Sequence, residues 1–267
     1  MNRFLTFLTA TTLLISCAKN PITGRNQLAL LNESELQSMA AQECRQFLSQ
    51  NRVVATNTSR DAEMVRRVGN RLVTAINSYY AQQGLTKELA NYQWEFNLVA
   101  DDQINAWAMP GGKTVVYTGL LPVTQNEAAL AVVMGHEIAH SLAKHGNERM
   151  SQVMVAQGLG AVGGVLTSGN AQVNNIFNNV YGPAAQVGVL LPNSRNQELE
   201  ADKYGLIFTA MAGYNPEEAI PLWERMEKAG GGNKPPEFLS THPAESTRID
   251  RLRKFMPEAK KYYKPMR

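Results

Sequence analysis

The 267-residue sequence predicts an α+β domain, mainly helical, with one small sheet. Three observations carry that expectation. Apolar residues recur at helical spacing over several long stretches. One short run, Tyr92 to Leu98, alternates with period two instead. The turn residues Pro110-Gly111-Gly112 then separate two more short runs, the pattern of a β-hairpin. With 44% hydrophobic and 18% charged residues the chain has a core to bury and is not disordered. No repeat or linker divides it, so residues 17–267 read as a single domain.

Residues 1–16 read as a targeting segment. Arg3 precedes the apolar and Thr-rich run Phe4 to Ile15, which is too short to span a bilayer. The run ends in Leu14-Ile15-Ser16-Cys17, which resembles a bacterial lipobox with Cys17 as the lipid-anchored first residue. A plain secretory signal with an incidental Cys17 is the rival. Ala18 is not an acidic retention signal, so an anchored chain is expected at the outer membrane and facing the periplasm.

The elements follow in order. Asn32 and Glu35 suggest a capping box opening a helix to about Gln50, with Cys44 on its apolar stripe as a buried, inert thiol. A second amphipathic helix runs from about Ser59 to Gln82, with Met64, Val65, Val68, Leu72, Ile76 and Tyr79 on one face. After the Tyr92–Leu98 strand and the hairpin Ile104–Thr118, Thr124 and Glu127 suggest a capping box before a strongly apolar helix reaching Gly146. The Gly/Ala-rich stretch from Val153 to Thr167 is too short and broken to be transmembrane, and the Asn-rich segment after it has no assignment. Ser194 with Gln197 opens a helix ending near Gly213, and Asn215-Pro216 starts another. A Gly/Pro loop leads to a final helix.

Composition excludes several functions. Two cysteines build neither a disulfide framework nor a four-thiolate zinc site. A net charge of +3 with 7% aromatics gives no warrant for nucleic-acid binding. Of four histidines, His136, His140 and His145 fall within ten residues, and His242 stands apart.

The cluster contains His136-Glu137-Ile138-Ala139-His140 inside the apolar helix. Residues four apart differ by about 40° in azimuth, so both imidazoles leave one face and can grip one metal ion. Neutral imidazoles suit Zn²⁺. Glu137 is on the adjoining azimuth, placed to take a proton from a metal-activated water attacking a peptide carbonyl. Two ordinary core histidines are the bland alternative, but burying two His and a Glu among Ala, Val, Leu and Ile without partners costs about several kcal/mol.

A catalytic zinc takes a third protein ligand and keeps one open position. His145 lies nine residues beyond His136, about 900° along a continuous helix and so on the opposite side. It is expected to cap the helix's C-terminal end, where the dipole suits a partly charged imidazole. Glu198 is the better candidate. Glu198 and Asp202 share a helix face, Gly205 leaves room for close approach, and Asp202 would orient a ligand histidine. Glu200 points elsewhere and reads as solvated.

These residues make the chain similar to metallopeptidase family 48, which includes HtpX-like and CAAX-prenyl-protease-like zinc enzymes, and most like its small bacterial periplasmic lipoproteins. The resemblance rests on Asn20-Pro21-Ile22-Thr23-Gly24, Asn105 to Gly112, Gly119-Leu120-Leu121, His136 to His140, Ser194 to Asp202, and His242-Pro243 with Arg248. It implies a gluzincin-like domain with one zinc ion per chain, held by His136, His140 and Glu198, with Glu137 as catalytic base. It also implies an edge strand, here Asn105, Ala106, Trp107 and Ala108, that lies beside the active-site helix and binds extended substrate. A plain core hairpin is the rival reading for that strand.

Three roles are open to His242: stabilising an oxyanion, filling zinc's open position in a latent state, or simply starting a helix. Tyr204 and Arg248 are weaker site candidates. The last twenty residues hold eight Lys/Arg against two Asp/Glu, which fits a solvated helix face better than a lipid-headgroup contact. The expected function is a lipid-anchored zinc endopeptidase acting on extended or unfolded envelope proteins, damaged or misassembled ones among them. A chaperone-like lipoprotein with latent or structural zinc and a restricted exopeptidase are the alternatives.

Overall fold

The computed structural model describes residues 17–158, 169–181, 194–229, 238–239, 242 and 248–265. The targeting segment, residues 1–16, lies outside them, as do most of the Gly/Ala-rich stretch and the Gly/Pro loop.

Strands β1 (Cys17–Lys19) and β2 (Asn26–Leu28) form a two-stranded antiparallel sheet. Helix α1 (Glu33–Gln50) is capped by Asn32 through the Ser34 N–H, and buries Leu36, Ala40, Cys44 and Phe47. Helix α2 (Arg60–Gln82) starts at Ser59, which accepts from the Ala62 N–H, and buries the predicted stripe except Met64, which is half-buried against the core. The second sheet has β3 (Glu95–Val99), β4 (Ala106–Met109) and β5 (Lys113–Tyr117) in the order β3-β5-β4. β4 and β5 form the expected antiparallel hairpin, and β3 runs parallel to β5.

β3 begins three residues later than the alternation suggests. The backbone before it runs along the hairpin turn, with Gln93 N–H donating to Gly111 O at 2.9 Å and Glu95 N–H to Gly112 O at 3.1 Å. The two sheet edges fare differently. On β3, Val54 N–H donates to Leu98 O and Ala100 N–H to Arg52 O, so residues 52–54 close that edge. β4 is the other edge, as expected.

The apolar helix departs from its predicted limits at both ends. Leu121–Thr124 forms a short helix, α3, that ends in Gln125 at φ 64°. Thr124 is therefore spent, and Asn126 caps α4 (Glu127–Leu142) by accepting from the Ala129 N–H. At the other end α4 stops at Leu142. Lys144 takes a left-handed conformation, φ 55°, and α5 (His145–Ala156) begins at once in a new direction. Asn20 Nδ2 and Gln27 Nε2 each donate to Ala143 O at 2.8 Å and pin this break from the N-terminal segment.

The Asn-rich segment contains α6 (Ala171–Tyr181), which packs on α5 and places the Tyr181 ring against Gly146. Helix α7 (Arg195–Met211) opens with the full Ser194/Gln197 capping box, and Gly213 takes φ 86° after it. A 3₁₀ turn, Pro216–Glu218, leads into α8 (Ala219–Ala229), and α9 (Arg248–Lys260) is the last described helix. Every residue of α4 from Ala129 to Leu142 is buried, so α4 is the centre about which α2, α7 and the β3–β5 sheet pack. Among the described residues no helix is long and apolar enough to cross a membrane.

Candidate metal centre

The site exists because α4 and α7 approach at backbone distance. A Cβ on Gly205 would lie 2.8 Å from His136 N and 2.9 Å from its Cα, and one on Gly135 would lie 2.9 Å from Gly205 O. Glycine on both helices allows that contact. It brings Glu198, two turns N-terminal of Gly205, over the face that carries His136 and His140.

Four buried side chains then converge: His136, His140, Glu198 and His242, with one donor atom from each lying within 4.8 Å of the others. His136 Nε2 is 3.1 Å from His140 Nε2 and 3.2 Å from His242 Nδ1. Glu198 Oε1 is 2.9 Å from His242 Nδ1 and 3.3 Å from His140 Nε2, and Oε2 is 3.5 Å from His136 Nε2. Tetrahedral zinc with donors at about 2.0–2.1 Å has donor–donor edges of about 3.3 Å, so the spacing fits. The lone pairs point the same way. His136 Nδ1, 3.0 Å from Asp202 Oδ1, is the protonated nitrogen of that ring, which leaves Nε2 a bare acceptor facing a second imidazole nitrogen. Glu198 Oε2 is buried without a hydrogen bond. Oε2 does have the Arg248 Nη1 charge at 3.0 Å, so it is the facing imidazole nitrogens that a cation in the cluster would resolve.

Electrostatics suit these side chains to ligation. Burial drives the His140 imidazole well below its ordinary value, so it is neutral. Burial pushes the Glu198 carboxyl up, but His242, His140 and Arg248 outweigh it and hold Glu198 well below the ordinary range. Asp202 is likewise held low against burial by Arg248 and His136. Burial raises Glu137, which is 4% exposed with Oε1 lacking a hydrogen bond and lying 3.3 Å from His242 Nε2. For His242 burial acts downward, yet Glu137 and Glu198 carry the net shift upward.

Arg248 is more central than its sequence context suggested. It belongs to the basic C-terminal run, but it is 4% exposed and lies 3.6 Å over the Trp223 ring. Its Nη2 donates to Asp202 Oδ1 at 2.6 Å, and its Nη1 makes an ion contact with Glu198 Oε2 at 3.0 Å. The rest of the run behaves as a surface helix, with Lys260 paired to Glu217 and Lys261 to Glu258.

Three expectations need correction. His145 does not cap α4. The break at Lys144 turns it back beneath the site, fully buried, with Nδ1 2.8 Å from His140 Nδ1. Burial lowers its pKa, the reverse of a charged cap. Glu200 is not a solvated side chain: Oε2 accepts from His145 Nε2 at 2.8 Å, and Arg25 Nε donates to Oε1 at 2.7 Å. Tyr204 is outside the site, because its hydroxyl donates to Ile22 O at 2.6 Å and ties the N-terminal segment to α7. Arg25, which also forks onto both oxygens of Glu148, was not anticipated at all. Nothing in the sequence marks a link of this length.

β4 lies beside α4, with Ser141 Oγ donating to Met109 O at 3.0 Å. Tyr117 N–H donates to Asn105 O, so in this register Asn105, Trp107 and Met109 pair with β5 while Ala106 and Ala108 face an edge that no described strand covers. Asn105 Oδ1 already accepts from the Ala106 N–H. The Trp107 ring meets Phe47 edge-on at 5.2 Å, on the α1 side. Cys17 opens β1.

Comparison with known proteins agrees with this geometry. Residues 59–256 match the family model described as Peptidase family M48. Mitochondrial metalloendopeptidase OMA1 of Saccharomyces cerevisiae is 33% identical over 205 residues, covering 74% of this chain and 57% of that protein. The OMA1 metalloendopeptidase of Homo sapiens is 27% identical, covering 91% of this chain and 46% of its own length. The beta-barrel assembly-enhancing protease of Yersinia pestis is 31% identical, covering 72% and 38%. The chain therefore spans less than two thirds of each of these relatives.

Proposed function

The chain belongs to peptidase family M48, and from that premise we propose that it is a zinc-dependent endopeptidase. The observation that carries this reading is the convergence of His136, His140 and Glu198 on one point, with the buried Glu137 carboxylate beside it. Bound there, zinc would supply Lewis acidity, acidifying a water and polarising the scissile carbonyl.

The chain's own groups do the rest. His136, His140 and Glu198 would hold the ion, and Asp202 would fix the tautomer of His136. Glu137 takes the proton of the attacking water and delivers it to the leaving amine, a task suited to a carboxylate whose pKa burial has raised. An extended substrate adds to the open edge of β4 through the backbone of Ala108 and the carbonyl of Ala106, with Asn105 and Trp107 holding the strand in register. Residue-to-backbone pairing of this kind reads no sequence, in keeping with unfolded polypeptide as substrate.

Of the roles open to His242, the position of Nδ1 among the donors favours the latent one. Four protein donors close a zinc site, whereas catalysis needs one position open. With zinc bound, His242 would have to leave the donor set for substrate to enter. The envelope assignment rests on the sequence of residues 1–17. Cys17 carries the lipid anchor, the chain faces the periplasm from the outer membrane, and its substrates are damaged or misassembled envelope proteins.

The deciding experiment measures zinc content and casein cleavage of the 17–267 protein beside Glu137→Gln. Zinc retained with cleavage lost is the expected result, and wild-type cleavage by Glu137→Gln would refute the mechanism. His140→Ala and Glu198→Ala should lose the metal. Substrate capture that survives Glu137→Gln would favour the chaperone-like alternative, and a requirement for free peptide ends would favour an exopeptidase.

A further inference from the structure

The two ligand histidines are backed in different ways. His136 Nδ1 meets a carboxylate, Asp202, at 3.0 Å. His140 Nδ1 meets another imidazole, His145 Nδ1, at 2.8 Å, and His145 Nε2 in turn meets Glu200 Oε2 at 2.8 Å. We infer that His145, anchored by Glu200 and Arg25, is a positioning residue that sets the tautomer and ring orientation of the metal ligand His140.

The proton positions follow from one choice. If His140 presents the Nε2 lone pair to the metal, its Nδ1 carries the hydrogen and donates to His145 Nδ1. His145 must then carry its own hydrogen on Nε2, where Glu200 Oε2 accepts it. The opposite assignment aims an N–H of His140 into the donor cluster and sets a lone pair of His145 against a carboxylate. With a cation in the cluster, only the first satisfies every contact. Metal ligation and the Glu200 hydrogen bond therefore demand the same tautomers.

The chain of contacts is built rather than incidental. His145 reaches His140 because Lys144 is left-handed; on a continuous helix, five residues would carry it about 140° away. Arg25 holds both ends of the support, donating to Glu200 through Nε and to Glu148 through both terminal nitrogens. Gln197 Nε2 also donates to Glu148 Oε2 at 2.8 Å. Arg25 precedes residues 59–256, which the family model covers, so the N-terminal hairpin contributes to the centre from outside that region.

The inference rests on zinc binding at His136, His140 and Glu198. Its test is the zinc affinity of the 17–267 protein, by competition with a chromogenic chelator, together with the visible absorption of the Co²⁺-substituted form. His145→Phe removes the acceptor, and His145→Asn keeps an oxygen near the Nδ1 position. His145→Phe should weaken zinc binding about 10–100-fold and shift the Co²⁺ spectrum, and His145→Asn should restore most of the affinity. A purely structural role would lower the melting temperature of the metal-free protein equally in both variants and leave the Co²⁺ spectrum unmoved. Wild-type affinity in His145→Phe, or equal losses in Phe and Asn, would overturn the inference. If His145→Phe does not fold, Glu200→Leu decides: weaker zinc with a shifted spectrum supports the role, and wild-type values overturn it. Wild-type protein that binds zinc no better than His140→Ala would overturn the metal reading itself, and this inference with it.

Discussion

Asp202 Oδ1 lies 3.0 Å from His136 Nδ1 and 2.6 Å from Arg248 Nη2, so one carboxylate joins a candidate metal ligand to the buried arginine. Asp202→Ala should weaken zinc binding about 10–100-fold, measured by chelator competition. Glu198 also contacts Arg248, at 3.0 Å, so the two carboxylates share one counter-charge. Additive effects in an Asp202→Ala/Arg248→Met pair would contradict that coupling.

Gly205 tests the helix contact beneath the site. An alanine there would place Cβ 2.8 Å from a backbone nitrogen of the ligand-bearing helix, where no side chain can swing away. Gly205→Ala should destabilise the metal-free protein by about 1–3 kcal/mol in urea unfolding, and weaken zinc binding because Glu198 retreats with α7.

His242 separates two roles by sign. As an occupant of the donor position it competes with substrate, so His242→Ala should cleave casein faster while retaining zinc on the other three ligands. Loss of an oxyanion donor would instead slow cleavage about 10²–10³-fold.

Acid should weaken the support around Arg25. Burial pushes Glu148 and Glu200 up, but Arg25 and Gln197 outweigh it at Glu148, and His145 and Arg25 at Glu200, so both lie below the ordinary 4.5. A carboxylate depressed in the fold stabilises it above the unfolded pKa, and that stability is lost as pH falls through the folded value. The urea midpoint of metal-free protein should therefore drop as pH falls below the ordinary 4.5, and Arg25→Met should flatten the drop. An identical pH profile in Arg25→Met would show that the fork contributes nothing.

Cys44 should be inert. It is 1% exposed, and burial pushes its thiol up to about 11. Iodoacetamide near neutral pH should alkylate it only after unfolding, as followed by mass spectrometry.

Local spacing determined the catalytic motif in the sequence itself. Two histidines four residues apart share a helix face wherever that helix lies, and Glu198, Asp202 and Gly205 obey the same arithmetic on a second helix. The hairpin and the helix starts at Asn32, Ser59 and Ser194 were equally readable, because caps and turns are contacts between near neighbours. Thr124 misled because a short turn intervenes and passes the cap to Asn126.

The surroundings of the motif were decided by tertiary structure alone. The helical phase that set His145 aside assumed a helix unbroken at Lys144, where no glycine or proline signals an end. A left-handed lysine costs about 1–2 kcal/mol, and the hydrogen bonds from Asn20 and Gln27 to Ala143 O come from more than a hundred residues away in sequence. Arg25 with Glu200, and Arg248 with Asp202, are joined in the same way, by charge pairing that no periodicity encodes. The sequence by itself determined which side chains could hold a metal. Packing of distant segments decided which nitrogen each histidine presents to it.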